Sequence, residues 1–176
     1  MKRVPLGQIL LEDGVIDGRR LRAGLDWQKR WGGRIGNALV HLGLVQEAAV
    51  TSALGRQLHV EVVDLTGRIV EPAVLALVPA RILEQRKMLP LELLSETRRG
   101  PLVVATSDPL DVPGLDEVAF ASGKLVRPVL APRSQLEVAI ARNLGRRRPE
   151  ALELGPEPVG EMDLVQPLTR DSRYWN

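Results

Sequence analysis

At 176 residues and a formal charge of +2, the chain has the length of one domain, or of one domain in two lobes with a tail. Hydrophobic residues make up 44% of it but aromatics only 3%, so its core must be aliphatic. The absence of cysteine excludes disulfides and thiolate metal sites; His41 and His59 stand far apart without ligand-like spacing, so no metal site is expected. No run approaches the roughly 20 apolar residues of a membrane span. The opening Met1-Lys2-Arg3-Val4-Pro5 does not lead into a signal peptide, because Glu12 and Asp13 cut the apolar stretch short. A soluble, cytoplasmic protein without membrane insertion is expected.

Charge is unevenly divided. Residues 1–58 carry nine Lys/Arg against five Asp/Glu, a balance of +4, whereas 59–145 and 146–176 each come to −1. A positive first third suits a small anionic ligand, and it equally suits a solvated basic surface.

That first third repeats itself. An offset of 29 residues takes Leu6-Gly7 to Ile35-Gly36, Leu10 to Leu39, Gly14 to Gly43, Leu21 to Val50, Leu25 to Leu54 and Gln28 to Gln57. Each copy reads as helix, glycine stop, helix. In the first, Leu6, Ile9 and Leu10 have helical spacing and Gly14 is placed as a cap with positive φ. Asp17 is positioned to cap the next helix, where Leu21, Leu25 and Gln28 share a face. In the second, Ile35, Leu39 and Leu42 precede Gly43, and Val50, Leu54 and Gln57 mark the following helix. Gly32-Gly33 separates the copies, so four short helices related by pseudo-symmetry are predicted.

An aliphatic-Gly pair at a helix start leaves backbone N–H groups for a phosphate and removes the Cβ that would block its approach. Leucines on the facing helix can cover a base, and a terminal glutamine can bond a base edge or a neighbouring turn. Two such half-sites would suit a ligand that is itself two-fold. The same spacing also describes two hairpins that merely pack on each other.

The tandem pattern LGxxLxxxGxxxxxxLxxxLxxQ, running from Leu6 to Gln28 and from Arg34 to Gln57, resembles the MshEN (GSPII) domain found at the N-terminus of type II secretion and type IV pilus assembly ATPases. The resemblance implies a domain that wraps cyclic di-GMP between its two motifs. It nominates Leu6, Gly7, Leu10, Gly14, Leu21, Leu25 and Gln28 in the first motif. In the second it nominates Arg34, Ile35, Gly36, Leu39, Gly43, Val50, Leu54 and Gln57. Each family motif opens on arginine; Arg34 fills that place in the second, but Pro5 stands there in the first, leaving Arg3 as a nearby substitute. The implied partners are cyclic di-GMP and a secretion or pilus component, with no other cofactor.

Beyond residue 58 the periodicity changes. His59–Leu65 reads as a strand, and Pro72–Lys87 as one or two helices interrupted at Pro79. Met88–Leu94 and Pro101–Ala105 read as a hairpin turning at Arg98-Arg99-Gly100. Asp111–Ser122 is a predicted helix closed by Gly123, Leu125–Leu130 a strand, and Ser134 the cap of a last helix through Leu144. The expected fold is α+β: a four-helix lobe at 1–58, a small α+β lobe at 59–145 and a flexible tail at 146–176. The segment Ala105-Thr106-Ser107-Asp108-Pro109-Leu110-Asp111 resembles a family segment in which the first aspartate faces guanine; as plain turn chemistry, Asp108 would shape a turn and Asp111 cap a helix. In the tail, Met162, Leu164, Val165, Leu168, Tyr174 and Trp175 suggest a docking segment for a partner, against which stand a poorly ordered end and an addition to the core.

A phosphate-binding loop GxxxxGK[ST] is missing: Gly123-Lys124 is followed by Leu125. GxSxG and HExxH are absent too. No enzyme is expected, but a version of the domain without its motor. The rival is a nucleotide-free structural adaptor docking on an assembly ATPase or platform protein. Nucleic-acid binding through Arg19, Arg20, Arg22, Lys29, Arg30 and Arg34 is opposed by the scarcity of stacking aromatics and by the acidic remainder.

Overall fold

A computed structural model describes residues 4–94 and 100–145. Arg3 and the whole 146–176 tail, with its apolar residues, lie outside the described residues. The first lobe consists of α1 (Leu6–Glu12), α2 (Gly18–Trp31), α3 (Ile35–His41) and α4 (Glu47–Leu58). Gly14 and Gly43 follow α1 and α3 at φ 68° and 66°, a conformation that costs a side chain about 1–2 kcal/mol. The Asp17 carboxylate accepts the Arg20 N–H at 2.8 Å and so starts α2. Leu42 caps α3 instead of extending it and is partly exposed.

The second lobe contains α5 (Pro72–Leu75), α6 (Ala80–Arg86), β1 (Met88–Leu93), β2 (Leu102–Thr106), α7 (Val112–Ser122), β3 (Val126–Leu130) and α8 (Arg133–Gly145). The sheet order is β1-β2-β3, with β1 antiparallel and β3 parallel to β2. All five residues of β2 are buried. Pro79 divides α5 from α6, and the register of β1 slips between Pro90 and Glu92, where proline interrupts the ladder. The fold is therefore α+β, each lobe having its own aliphatic cluster.

Two sequence expectations are corrected. Residues 59–65 form no strand, only an isolated bridge between Val62 and Leu130. His59 ends α4 in the left-handed region, and the Asp64 carboxylate accepts the Thr66 N–H to turn the chain away after a short pairing. Ser134 does not cap α8. Glu47, from the other lobe, accepts the N–H groups of Arg133 at 2.7 Å and Ser134 at 3.2 Å and the Ser134 hydroxyl at 2.5 Å. This bond set seats α4 against the start of α8.

Inside the second lobe, Asn143 is 1% exposed yet fully paired. Its carbonyl accepts the Val70 N–H, and its amide donates to the carbonyls of Arg68 and Ala139. With Gln135 accepting the Leu65 N–H, it fastens the 65–70 loop to α8.

Candidate functional site

The two motifs place their residues in matching positions, and most of those positions answer to packing first. Leu10 and Leu39 are 0% exposed in the core of the helical lobe, where they hold the helices together. A Cβ on Gly7 would lie 2.7 Å from Cδ1 of Leu21, and one on Gly36 would lie 2.7 Å from Cγ1 of Val50. The space opened by each glycine is thus filled by the second helix of its own copy. Gly14 and Gly43 are helix stops with open space around them.

The glutamines are equally symmetric. Gln28 donates to the Gly33 carbonyl at 2.7 Å, and Gln57 donates to the Val4 carbonyl at 2.6 Å. Positions 4 and 33 differ by the repeat offset, so each glutamine clasps the backbone just ahead of the other copy's first helix. This is the neighbouring-turn role that a glutamine in that place allows. Leu25 is 40% exposed, and Leu6, Leu21, Ile35, Val50 and Leu54 are half-buried. These six aliphatic residues retain surface for an apolar contact.

Arg34 and Asp108 carry the polar chemistry. They come from different lobes, 74 positions apart, and meet with Nη2 to Oδ2 at 2.8 Å. Asp108 is held by its own turn: its Oδ1 accepts the Leu110 N–H, and its N–H donates to the Thr106 hydroxyl. The bond to Asp108 pushes the Arg34 guanidinium further up from its already high value, so it stays charged. Asp111 serves as the cap of α7, accepting the Gly114 N–H at 3.1 Å. A carboxylate and a guanidinium together offer an acceptor pair and a donor fork, the groups that recognise a guanine edge or a phosphate.

The copies differ beside this frame. Arg56 on α4 makes a two-pronged ion pair with Asp13, one arm at 2.9 Å. The position equivalent to Arg56 in the first copy is Trp27, whose ring lies 5.2 Å from that of His41 on α3. Sequence reasoning missed both contacts, since neither residue belongs to the repeated pattern. A depression of about 240 Å³ lies elsewhere, lined by Leu65, Thr66, Gly67, Ser134, Gln135, Val138 and Arg142, none of them a motif residue. Among the described residues no cluster of His, Asp and Glu could hold a metal ion, and no helix is long and apolar enough to cross a membrane.

A family model described as the MshEN domain matches residues 58–150, more than half of the chain. The chain belongs to the MshEN domain family. The matched range is the second lobe, complementary to the tandem motifs that carry the resemblance in the sequence. The type IV pilus assembly ATPase PilB of Myxococcus xanthus is 32% identical over 167 residues, which takes in 94% of this chain but only 29% of the ATPase. Among solved structures, MshE with cdg (cyclic di-GMP) is 28% identical, with a TM-score of 0.66 over 80% of this chain and 99% of that one. The N-terminal domain of XpsE, at 22% identity and a TM-score of 0.61 over 81% of this chain and 99% of its own, shows the same fold.

Proposed function

We propose that this MshEN domain binds cyclic di-GMP with its helical lobe and passes the signal by protein contact to a secretion or type IV pilus component, without catalysing a reaction. The observation that carries this reading is the Arg34–Asp108 pair at 2.8 Å, set across the two lobes beside a duplicated hairpin. It is supported by likeness to MshE, which is solved with cdg. Asp108 would accept the ring N–H and amino group of a guanine, and Arg34 would donate to a guanine acceptor or a phosphate. The half-buried aliphatics would cover the bases. Such a ligand exchanges the contact between Arg34 and Asp108 for contacts to itself, and so acts on both lobes at once.

Calorimetric titration of the full chain with cyclic di-GMP tests this. One ligand per chain is expected, with thermal stabilisation that follows mass action: about 2.7 kcal/mol at 100 times the dissociation constant. Two ligands per chain would contradict a single site shared by the motifs. A second reading, the nucleotide-free structural adaptor, draws on the fact that Gly7, Gly36, Leu10, Leu39, Gln28 and Gln57 all have partners within the protein. No heat of binding and no change in melting temperature would favour that reading.

A further inference from the structure

Of the eight described arginines outside α2, six form ion pairs and Arg81 and Arg142 do not. Arg34, Arg56, Arg68, Arg86, Arg127 and Arg133 each pair with a carboxylate. On α2, by contrast, Arg19, Arg20, Arg22, Lys29 and Arg30 are all exposed, and none has an ion-pair partner among the described residues. Asp26 is the single acid on that helix.

The repeat supplies an internal control. The positions equivalent to these five cations on α4 are Ala48, Ala49, Thr51, Leu58 and His59. The motif residues Leu21, Leu25 and Gln28 are matched there by Val50, Leu54 and Gln57. A hairpin of this kind therefore forms without the cations. Trp31 ends the same helix at 69% exposure. Charge and indole together make an unpartnered, arginine- and tryptophan-bearing face, the composition of a contact surface.

We propose that this face of α2 is covered by the chain's own acidic segment at 150–163, which lies outside the described residues. That segment carries Glu150, Glu153, Glu157, Glu161 and Asp163, and no Lys or Arg occurs between Pro149 and Thr169. Five negative charges thus face a helix of net charge +4, from five cations and Asp26. Met162, beside Asp163, supplies an apolar partner for Trp31. Reach is no obstacle: the 18 residues after Gly145 span up to about 60 Å, against a radius of gyration of about 15 Å for a folded unit of this size. Tethering also raises the local concentration of the segment to about the millimolar range, which a free anion must match.

The chain contains four lysines: Lys2, Lys29, Lys87 and Lys124. Carbodiimide cross-linking of the full chain, which joins an amine to a carboxylate in contact, therefore reads the docking site directly by mass spectrometry. The acids at 150–163 should join Lys29 about tenfold more than Lys87 or Lys124 at about 0.01 M salt, and lose that preference near 1 M, as the screening length falls from about 30 Å to about 3 Å. The substitutions Arg19→Gln, Arg22→Gln and Arg30→Gln, with Lys29 kept, should reduce the Lys29 product while the melting temperature holds. Mixing isotope-labelled and unlabelled protein should leave the product within single chains. Equal yields at the three lysines, a product insensitive to salt, or cross-links between chains overturns the proposal.

Discussion

Arg34 separates stability from binding. Its pair with Asp108 is solvent-exposed, the arginine side chain at 60%, and exposed pairs contribute about 0–1 kcal/mol. Arg34→Ala should therefore scarcely move the melting temperature. If the site binds cyclic di-GMP, the same change should weaken binding by about 1.5–3 kcal/mol, the scale of a charge-assisted hydrogen bond. Calorimetry and melting curves on one variant read both effects. The Arg56–Asp13 pair gives a pH signature instead. Its hydrogen bond to Arg56 holds the Asp13 carboxyl below the ordinary value of 3.8, so its folded form binds a proton less readily than its unfolded form. The stabilisation is complete above that ordinary value and is lost as pH falls through the lower folded one. Melts between pH 2 and about 6 should show Arg56→Gln losing less stability on acidification than the parent. At this scale, the residues of the candidate site could be named from the sequence through family likeness. The pairing of Arg34 with Asp108 was not, because spacing carries no information about two groups 74 positions apart in different lobes.

The glycines of the two helix starts distinguish elements that look identical in sequence. A Cβ on Gly36 would press on Val50, whose branched side chain has little rotamer freedom, and would also lie 3.2 Å from Leu6. At Gly7 the obstacle is the end of a Leu21 side chain, which can swing aside. Gly36→Ala should cost about 1–3 kcal/mol by overpacking, whereas Gly7→Ala should fall near neutral, since alanine gains about 0.5–1 kcal/mol within a helix. Urea denaturation of the pair measures the difference. The helices, their glycine stops and the hairpin β1–β2 could be read locally, because a cap or a period is written in adjacent residues. The expected strand at 59–65 failed because its length was decided by the His59 conformation and the Asp64 turn. The neighbours of Gly7 and Gly36 were not legible, because the atoms that fill their space come from another helix.

For the whole molecule the seam between lobes matters most. Glu47 supplies the start of α8 with the acceptor that Ser134 does not provide. Glu47→Ala should cost about 0.5–2 kcal/mol, the range of a lost helix cap, and hydrogen exchange at the Arg133 and Ser134 amides should quicken. The periodicity changes near residue 58, but the joint between Glu47 and the start of α8 was not legible, since its partners stand 86 and 87 positions apart. The helical lobe has one more consequence. Its helices pack crosswise, α1 on α4 and α2 on α3, and each glutamine clasps the other copy. This is the isologous interface of a two-fold homodimer written into a single polypeptide. Two separate subunits would be obliged to carry the same residue at both equivalent places. Fusion removes that obligation, and this chain uses the freedom: an arginine–aspartate pair on one side, a tryptophan–histidine contact on the other, proline at one motif start and arginine at its twin.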